Sequence, residues 1–221
     1  MTPAEKHRQR VLASKRTSED ENASRKGANQ YELMLMQLAD HKRSLKQAQS
    51  IERKKEMKSK LVAEYDSYID GVLEAQSGQQ DDVLMTLLIW HIDAGNYDRA
   101  LEIAEYAIIH DLQTPDQYER TTGCLIVEEI ATAALASEND ESPFSLETLN
   151  RVQDLTAELD MFDQVRAKFF RALAEAHERE GNDEEAIAYY EKALKLHDRV
   201  GCKQALTALK KKVEKDSESK G

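Results

Sequence analysis

The sequence predicts an all-α protein in which basic N-terminal helices precede an acidic helical body. Three observations predict it. Helix breakers are scarce, with 8 Gly and 3 Pro in 221 residues, while Ala, Leu, Glu, Lys and Gln, which lose least in a helix, are abundant. Apolar side chains recur at three-and-four spacing, and no segment alternates with β-branched residues as a strand would. Charge is split along the chain: residues 1–60 hold 15 Lys/Arg against 8 Asp/Glu, and the remainder holds 16 against 34, within a net charge of −11. Such asymmetry suggests a polyanion-binding region on a body that binds none.

The first helix is predicted from "TPAEKHRQRVLASKR". Thr2 is the N-cap, Pro3 the first helical residue and Glu5 the third, which together form a capping box. Lys6, Arg8, Arg10, Lys15 and Arg16 crowd a helix whose apolar anchors are Val11 and Leu12, so it reads as an arm that is mobile unless bound. "TSEDENASRKGAN" reads as a polar break, with Gly27 as the stop. A long second helix begins near Gln30, where Tyr31, Met34, Leu35, Leu38, Lys42, Leu45 and Ala48 trace one narrow seam. A seam this thin needs another helix, from the same chain or a neighbouring subunit, and coiled-coil packing would supply it. Basic residues then dominate: Lys42, Arg43, Lys46, Arg53, Lys54, Lys55, Lys58 and Lys60. Residues 1–60 are read as a basic helical region for binding DNA or RNA and for oligomerisation, with a solvated, salt-bridged helix face as the alternative.

The acidic body is expected over 61–215, with 216–221 a disordered tail. "LVAEYDSYIDGVLEA" (61–75) is amphipathic. Residues 80–94 are apolar nearly all round, which places that helix at the centre of a core. Gly95-Asn96 turns the chain into another helix, Thr114-Pro115 marks a new start, and helices fit 121–136, 146–159, 161–180, 183–198 and 202–215. "GNYDRALEIAEYAI" (95–108) aligns with "GNDEEAIAYYEKAL" (181–194). Glycine for the turn and alanine for close helix approach make each the second half of a tetratricopeptide-like hairpin. The separation of 86 residues argues for two hairpins rather than a regular solenoid.

Asp81 and Asp82 are the candidate catalytic residues, since paired carboxylates suit Mg²⁺ in phosphodiester hydrolysis. Neighbouring helical residues point about 100° apart, however. Acids at a helix start also cap free N–H groups and favour the helix dipole, and that reading is preferred. His91 reads as a core histidine, Cys124 and Cys202 as buried thiols of a cytosolic protein. No phosphate loop, zinc spacing or nucleophile elbow occurs. No metal site and no cofactor are therefore expected, except Mg²⁺ if the two aspartates cut DNA. No apolar run approaches the roughly 20 residues of a membrane span, so no membrane partner is expected.

Several segments resemble the gpM-type small terminase subunits of P2-like tailed phages. They are "YELMLMQLADHKRSLK" (31–46), "GVLEAQSGQQDDVLMTLLIWHIDAGNYDRALEIAEYAI" (71–108), "RTTGCLIVEEIATAAL" (120–135), "DMFDQVRAKFFRALAE" (160–175) and "GNDEEAIAYYEKALKLHDRVGCK" (181–203). The resemblance implies a homo-oligomer in the host cytoplasm that binds the cohesive-end site of concatemeric double-stranded phage DNA. It would direct cleavage there and recruit the large subunit, which carries the packaging ATPase. The family is described as the endonuclease subunit, although no motif in this chain builds a nuclease site. Some relatives end in a long Lys/Pro-rich tail where this chain reads "KKKVEKDSESKG", so the N-terminal helices are expected to carry more of the DNA contact. The phosphate-contact set is then Lys42, Arg43, Lys46, Arg53, Lys54, Lys55 and Lys58, with Lys6, Arg8, Arg10, Lys15 and Arg16 as the arm. Two alternatives stay open: a Mg²⁺-dependent nicking enzyme, and a tetratricopeptide-like adaptor that grips a protein.

Overall fold

The computed structural model describes residues 1–15, 21–115, 120–137 and 144–218, apart from the side chains of residues 21–25, 27–28 and 217–218. Among them are eleven helices and no strand. Two compact units divide the chain, Met1–Thr122 and Gly123–Gly221. The whole basic region and the first part of the acidic sequence thus fold together in the first unit.

That unit contains α1 (Pro3–Ser14), α2 (Glu21–Gln47), α3 (Ile51–Val62), α4 (Asp66–Ala75), α5 (Asp82–Asp93) and α6 (Tyr97–Ile109). The capping box of α1 forms as expected: Thr2 Oγ1 accepts from the Glu5 N–H at 3.2 Å, and the Glu5 carboxylate accepts from the Thr2 N–H at 2.6 Å. Gly27 is not a stop, because α2 begins at Glu21 and runs through it. A lone glycine costs a helix about 1 kcal/mol, which long flanking helix absorbs. The long basic helix is broken instead at 48–50, where Ser50 Oγ accepts from the Arg53 N–H at 3.3 Å and starts α3. The helix expected over 61–75 is likewise divided, with α3 ending at Val62 and α4 starting at Asp66.

Helix α5 is the centre of this unit. Every residue from Val83 to Ile92 is buried, and α2, α3 and α6 pack on it. The seam of α2 supplies Met34, Leu38 and Leu45 to the core. Helix α1 is docked along α4 rather than free. The approach is close: a Cβ on Gly71 would lie 2.2 Å from the Arg10 carbonyl oxygen and 2.8 Å from Ala13 Cβ.

The second unit carries α7 (Thr122–Ala136, whose first residue falls at the unit boundary), α8 (Leu146–Thr156), α9 (Asp163–Arg179), α10 (Asp183–Leu196) and α11 (Lys203–Glu218). Helix α11 thus continues into the stretch expected as a tail, and residues 219–221 lie outside the described residues. Ala174, Ala186, Tyr190, Ala193, Cys202 and Leu209 form its α9–α10–α11 core. Lys210 pairs with Glu191 and Lys212 with Asp183, fixing α11 on α10.

The two aligned segments adopt the same turn. Gly95 and Gly181 have φ of 77° and 80°. The Asn96 N–H donates to the His91 carbonyl and the Asn182 N–H to the His177 carbonyl, both at 2.9 Å. This six-to-one bond past a left-handed glycine is a Schellman motif, which satisfies carbonyls that the helix end would orphan. The equivalence extends back to a histidine in each preceding helix, a match the sequence alignment did not reach.

His91 is 2% exposed, and its Nε2 has no hydrogen-bond partner among the described residues. Burial, aided by the positive charge of Arg99, pushes its pKa down from 6.5 to about 4. The unfolded chain therefore binds a proton between pH 6.5 and 4 that the folded chain refuses. The stability that neutral His91 provides is complete above about pH 6.5 and is lost as pH falls toward 4, roughly 3 kcal/mol over that window. We expect urea titrations at pH 7.5 and pH 4.5 to show H91Q losing less stability than wild type across this interval. A second expectation concerns α1. In Gly71→Ala the clash outweighs the helix-propensity gain of about 1 kcal/mol, since overpacking costs typically 1–3 kcal/mol and the opposing atom is backbone. The melting temperature should fall, and limited proteolysis should cut α1 free first.

Candidate nucleic-acid interface

The cations expected to meet phosphate divide by what they touch. On α1, Arg10 pairs with Glu74; Asp66 of α4 has its pKa pushed up by burial, and Arg99 and, more weakly, Lys6 oppose that shift. Arg10 thereby serves the docking of α1 on α4. Arg8 and Lys15 are exposed, with no ion pair among the described residues. Arg16 lies outside the described residues.

On α2, Lys42 is partly buried and its Nζ donates to Thr86 Oγ1 of α5 at 3.2 Å. Burial pushes its pKa down, the Asp82 carboxylate opposes this, and Lys46 adds to it. Lys58 of α3 pairs with Asp93 of α5, both side chains being largely covered. These two lysines hold the basic helices on the buried one. Withdrawing Lys58 would leave the largely covered Asp93 carboxylate unpaired, a cost well above that of an exposed pair, whereas Thr86 Oγ1 keeps its own bond to the Asp82 carbonyl at 2.8 Å when Lys42 leaves. Arg43 with Asp40, and Lys55 with Glu52, are pairs within one helix on the open surface. Such pairs contribute roughly 0–1 kcal/mol, so a phosphate displaces the carboxylate easily.

Lys46, Arg53 and Lys54 make no ion pair among the described residues, and neither does Lys60, which lies in the same run but outside the expected set. Geometry narrows the surface further. With 100° per residue, the outward part of α3 carries Glu52, Glu56, Ser59 and Lys60, all exposed. Acids along that line would oppose a polyanion lying flat on the helix. Three of these four cations lie around the corner between α2 and α3, where Lys46 is in the last turn of one helix and Arg53 and Lys54 are in the first turn of the next, while Lys60 lies in the last turn of α3. The sequence could not separate these residues from Lys42 and Lys58, because their partners stand 44 and 35 residues away.

The candidate catalytic pair does not converge. Asp81 is the N-cap of α5 and is 1% exposed. One carboxylate oxygen accepts from the Leu84 N–H at 2.8 Å, and the other accepts from the Tyr68 hydroxyl at 2.5 Å. Asp82 turns outward, where its carboxylate accepts from Gln80 at 3.0 Å and its N–H donates to the Tyr31 hydroxyl at 3.3 Å. Among the described residues no three His, Cys, Asp or Glu side chains are placed to share a metal ion. The pair does not fit a Mg²⁺ site. Instead, Tyr31, Lys42, Asp82 and Thr86 tie α2 to the first turns of α5.

Comparisons with known proteins can be set against this geometry. Residues 35–164 match the family model described as phage small terminase subunit, and residues 167–199 match the tetratricopeptide repeat model. The latter covers most of α9 and all of α10, and so includes the second of the two similar turns. Over 213 residues the chain is 35% identical to a protein of Escherichia phage P2 named "Terminase, endonuclease subunit". That alignment covers 96% of this chain and 85% of the relative. No solved structure matches.

The contrast between the two aspartates is measurable. Asp81→Asn keeps the size of the cap but removes the charge that receives two buried hydrogen bonds, which at about 1–3 kcal/mol for a charged acceptor should lower the melting temperature by several degrees. Asp82→Asn should leave it within about a degree or two, and equal losses in the two variants would contradict this assignment.

Proposed function

The chain belongs to the phage small terminase subunit family, and on that footing we propose that it binds the cohesive-end site of concatemeric phage DNA, directs cleavage there and recruits the large ATPase subunit for packaging. The observation that carries the DNA contact is the cluster of unopposed cations around the α2–α3 corner, on a chain whose net charge is −11. A protein this acidic approaches DNA only where the charge is locally reversed. Arg43 extends the contact by exchanging Asp40 for a phosphate, Lys55 keeps its charge against Glu52 beside the corner, and Arg8 and Lys15 of α1 are further cations open to solvent. Lys42 and Lys58 act indirectly, by holding α2 and α3 in place. We further propose that it works as a homo-oligomer in the host cytoplasm, with the tetratricopeptide-like second unit free to engage the large subunit.

The phage P2 relative is named as an endonuclease subunit. We propose that this chain contributes recognition to cleavage rather than a metal-bound hydrolytic site at Asp81 and Asp82. Both Asp81 oxygens are committed to internal hydrogen bonds. Purified protein with Mg²⁺ and a cohesive-end plasmid provides the check: nicking that disappears in Asp82→Asn would reverse the assignment.

For the DNA contact, the expected outcome concerns salt. Removing three phosphate contacts in a K46A/R53A/K54A variant should weaken binding and reduce the slope of log K against log salt by about 2 to 3. An unchanged slope, measured by fluorescence anisotropy on labelled duplex, would place the interface elsewhere.

A further inference from the structure

Five large apolar side chains beyond Met1 are exposed among the described residues: Leu33, Met36, Ile51, Ile109 and Phe162. Single exposed apolar residues are ordinary on a protein surface, so the surroundings decide which of them has a use. Phe162 stands between Asp160 and Asp163. Ile109 lies between Glu105 and Asp111. Leu33 and Met36 share the outer face of α2 with Glu32 and Asp40. Ile51, 71% exposed, is the one of the five with cations within three residues along the chain, Arg53 and Lys54, and Lys46 lies five residues before it. Its one acidic neighbour, Glu52, has its charge met by Lys55.

Ile51 also stands at a defined point of the backbone. It is the first residue of α3, directly after the N-cap Ser50, whose hydroxyl accepts from the Arg53 N–H. A β-branched side chain at a capped helix start has few rotamers to lose on contact. Gln47 and Gln49, both exposed, lie just before it in the chain. This combination differs from a plain phosphate-binding surface. Cations alone give affinity without sequence information, whereas discrimination requires hydrogen bonds or apolar contact at base edges within a groove.

In an inference that rests on the DNA-binding reading above, we propose that the α2–α3 corner enters a groove of the duplex, with Ile51 as its apolar contact to the bases. Lys46, Arg53 and Lys54 hold the flanking phosphates. Ile51 is thereby a specificity-determining residue, and the cations around it are affinity-determining ones.

The test compares two labelled duplexes of equal length and composition, one carrying the phage's cohesive-end sequence and one shuffled, across a salt series. For Ile51→Ala in the full chain we expect about tenfold weaker binding to the cohesive-end duplex. Binding to the shuffled duplex should stay within about twofold, and the salt slope should not change. Ile51→Lys should lose the same preference while binding the shuffled duplex more tightly, since it adds a phosphate contact. Because the side chain is exposed, both variants should melt with wild type. A wild type that binds neither duplex would overturn the DNA-binding reading itself. A wild type that binds both equally would overturn the cohesive-end reading together with this inference, and an Ile51→Ala variant that keeps the full preference would overturn this inference alone.

Discussion

A helix with no polar face can be stable only if something covers every side of it, and α5 imposes that requirement on the whole first unit. Ten consecutive residues, Val83 to Ile92, are removed from solvent. Each large aliphatic among them contributes on the order of 1.5–3 kcal/mol through burial, which outweighs any local preference of the helices recruited to cover it. The consequences reach the charged residues. Asp81 caps the helix and is sealed under Tyr68. Lys42 and Lys58 reach in from α2 and α3 to Thr86 and Asp93. The basic helices lie where they do because an apolar helix needed wrapping, and the orientation of their remaining cations follows from it.

That ordering explains a division among the lysines which is easily mistaken for a uniform basic patch. A lysine whose ammonium is partly desolvated against a fixed partner cannot leave without stranding that partner. A lysine paired on the open surface can leave at little cost. One run of basic sequence therefore contains structural and available charge side by side. Most of the available charge lies at a bend rather than along a helix, and on α3 itself Glu52 and Glu56 share the outward side with Lys60.

Much of this was legible from residues alone where the governing signal was local. Thr2, Pro3 and Glu5 announced the start of α1, and the two Gly-Asn pairs announced turns that share their hydrogen bonds and their glycine conformation. The apolar run at 83–92 announced the buried helix. The division of the long basic helix was missed because Gln47 to Ser50 contains neither glycine nor proline, and Ser50 acts through one hydrogen bond that many serines never make. Gly27 misled in the opposite direction, since its cost of about 1 kcal/mol is too small to end a helix with good formers on both sides. The roles of Lys42 and Lys58 were illegible in principle, because they are set by residues brought near by the fold. The docking of α1 was hidden for a similar reason, since a helix with few apolar anchors holds on here through backbone approaching backbone.

The glycines of that docking and of the turns tolerate change in opposite ways. At Gly95 and Gly181 nothing lies within 4 Å of where a Cβ would stand, so only the handedness of the backbone excludes other residues. A mirror-image alanine would fit either turn, and asparagine is the natural side chain with the best chance of surviving there. At Gly71 the backbone is ordinary helix, and the Arg10 carbonyl fills the space instead. Genetic drift at the turns is thus filtered by stereochemistry, and drift at Gly71 by volume alone.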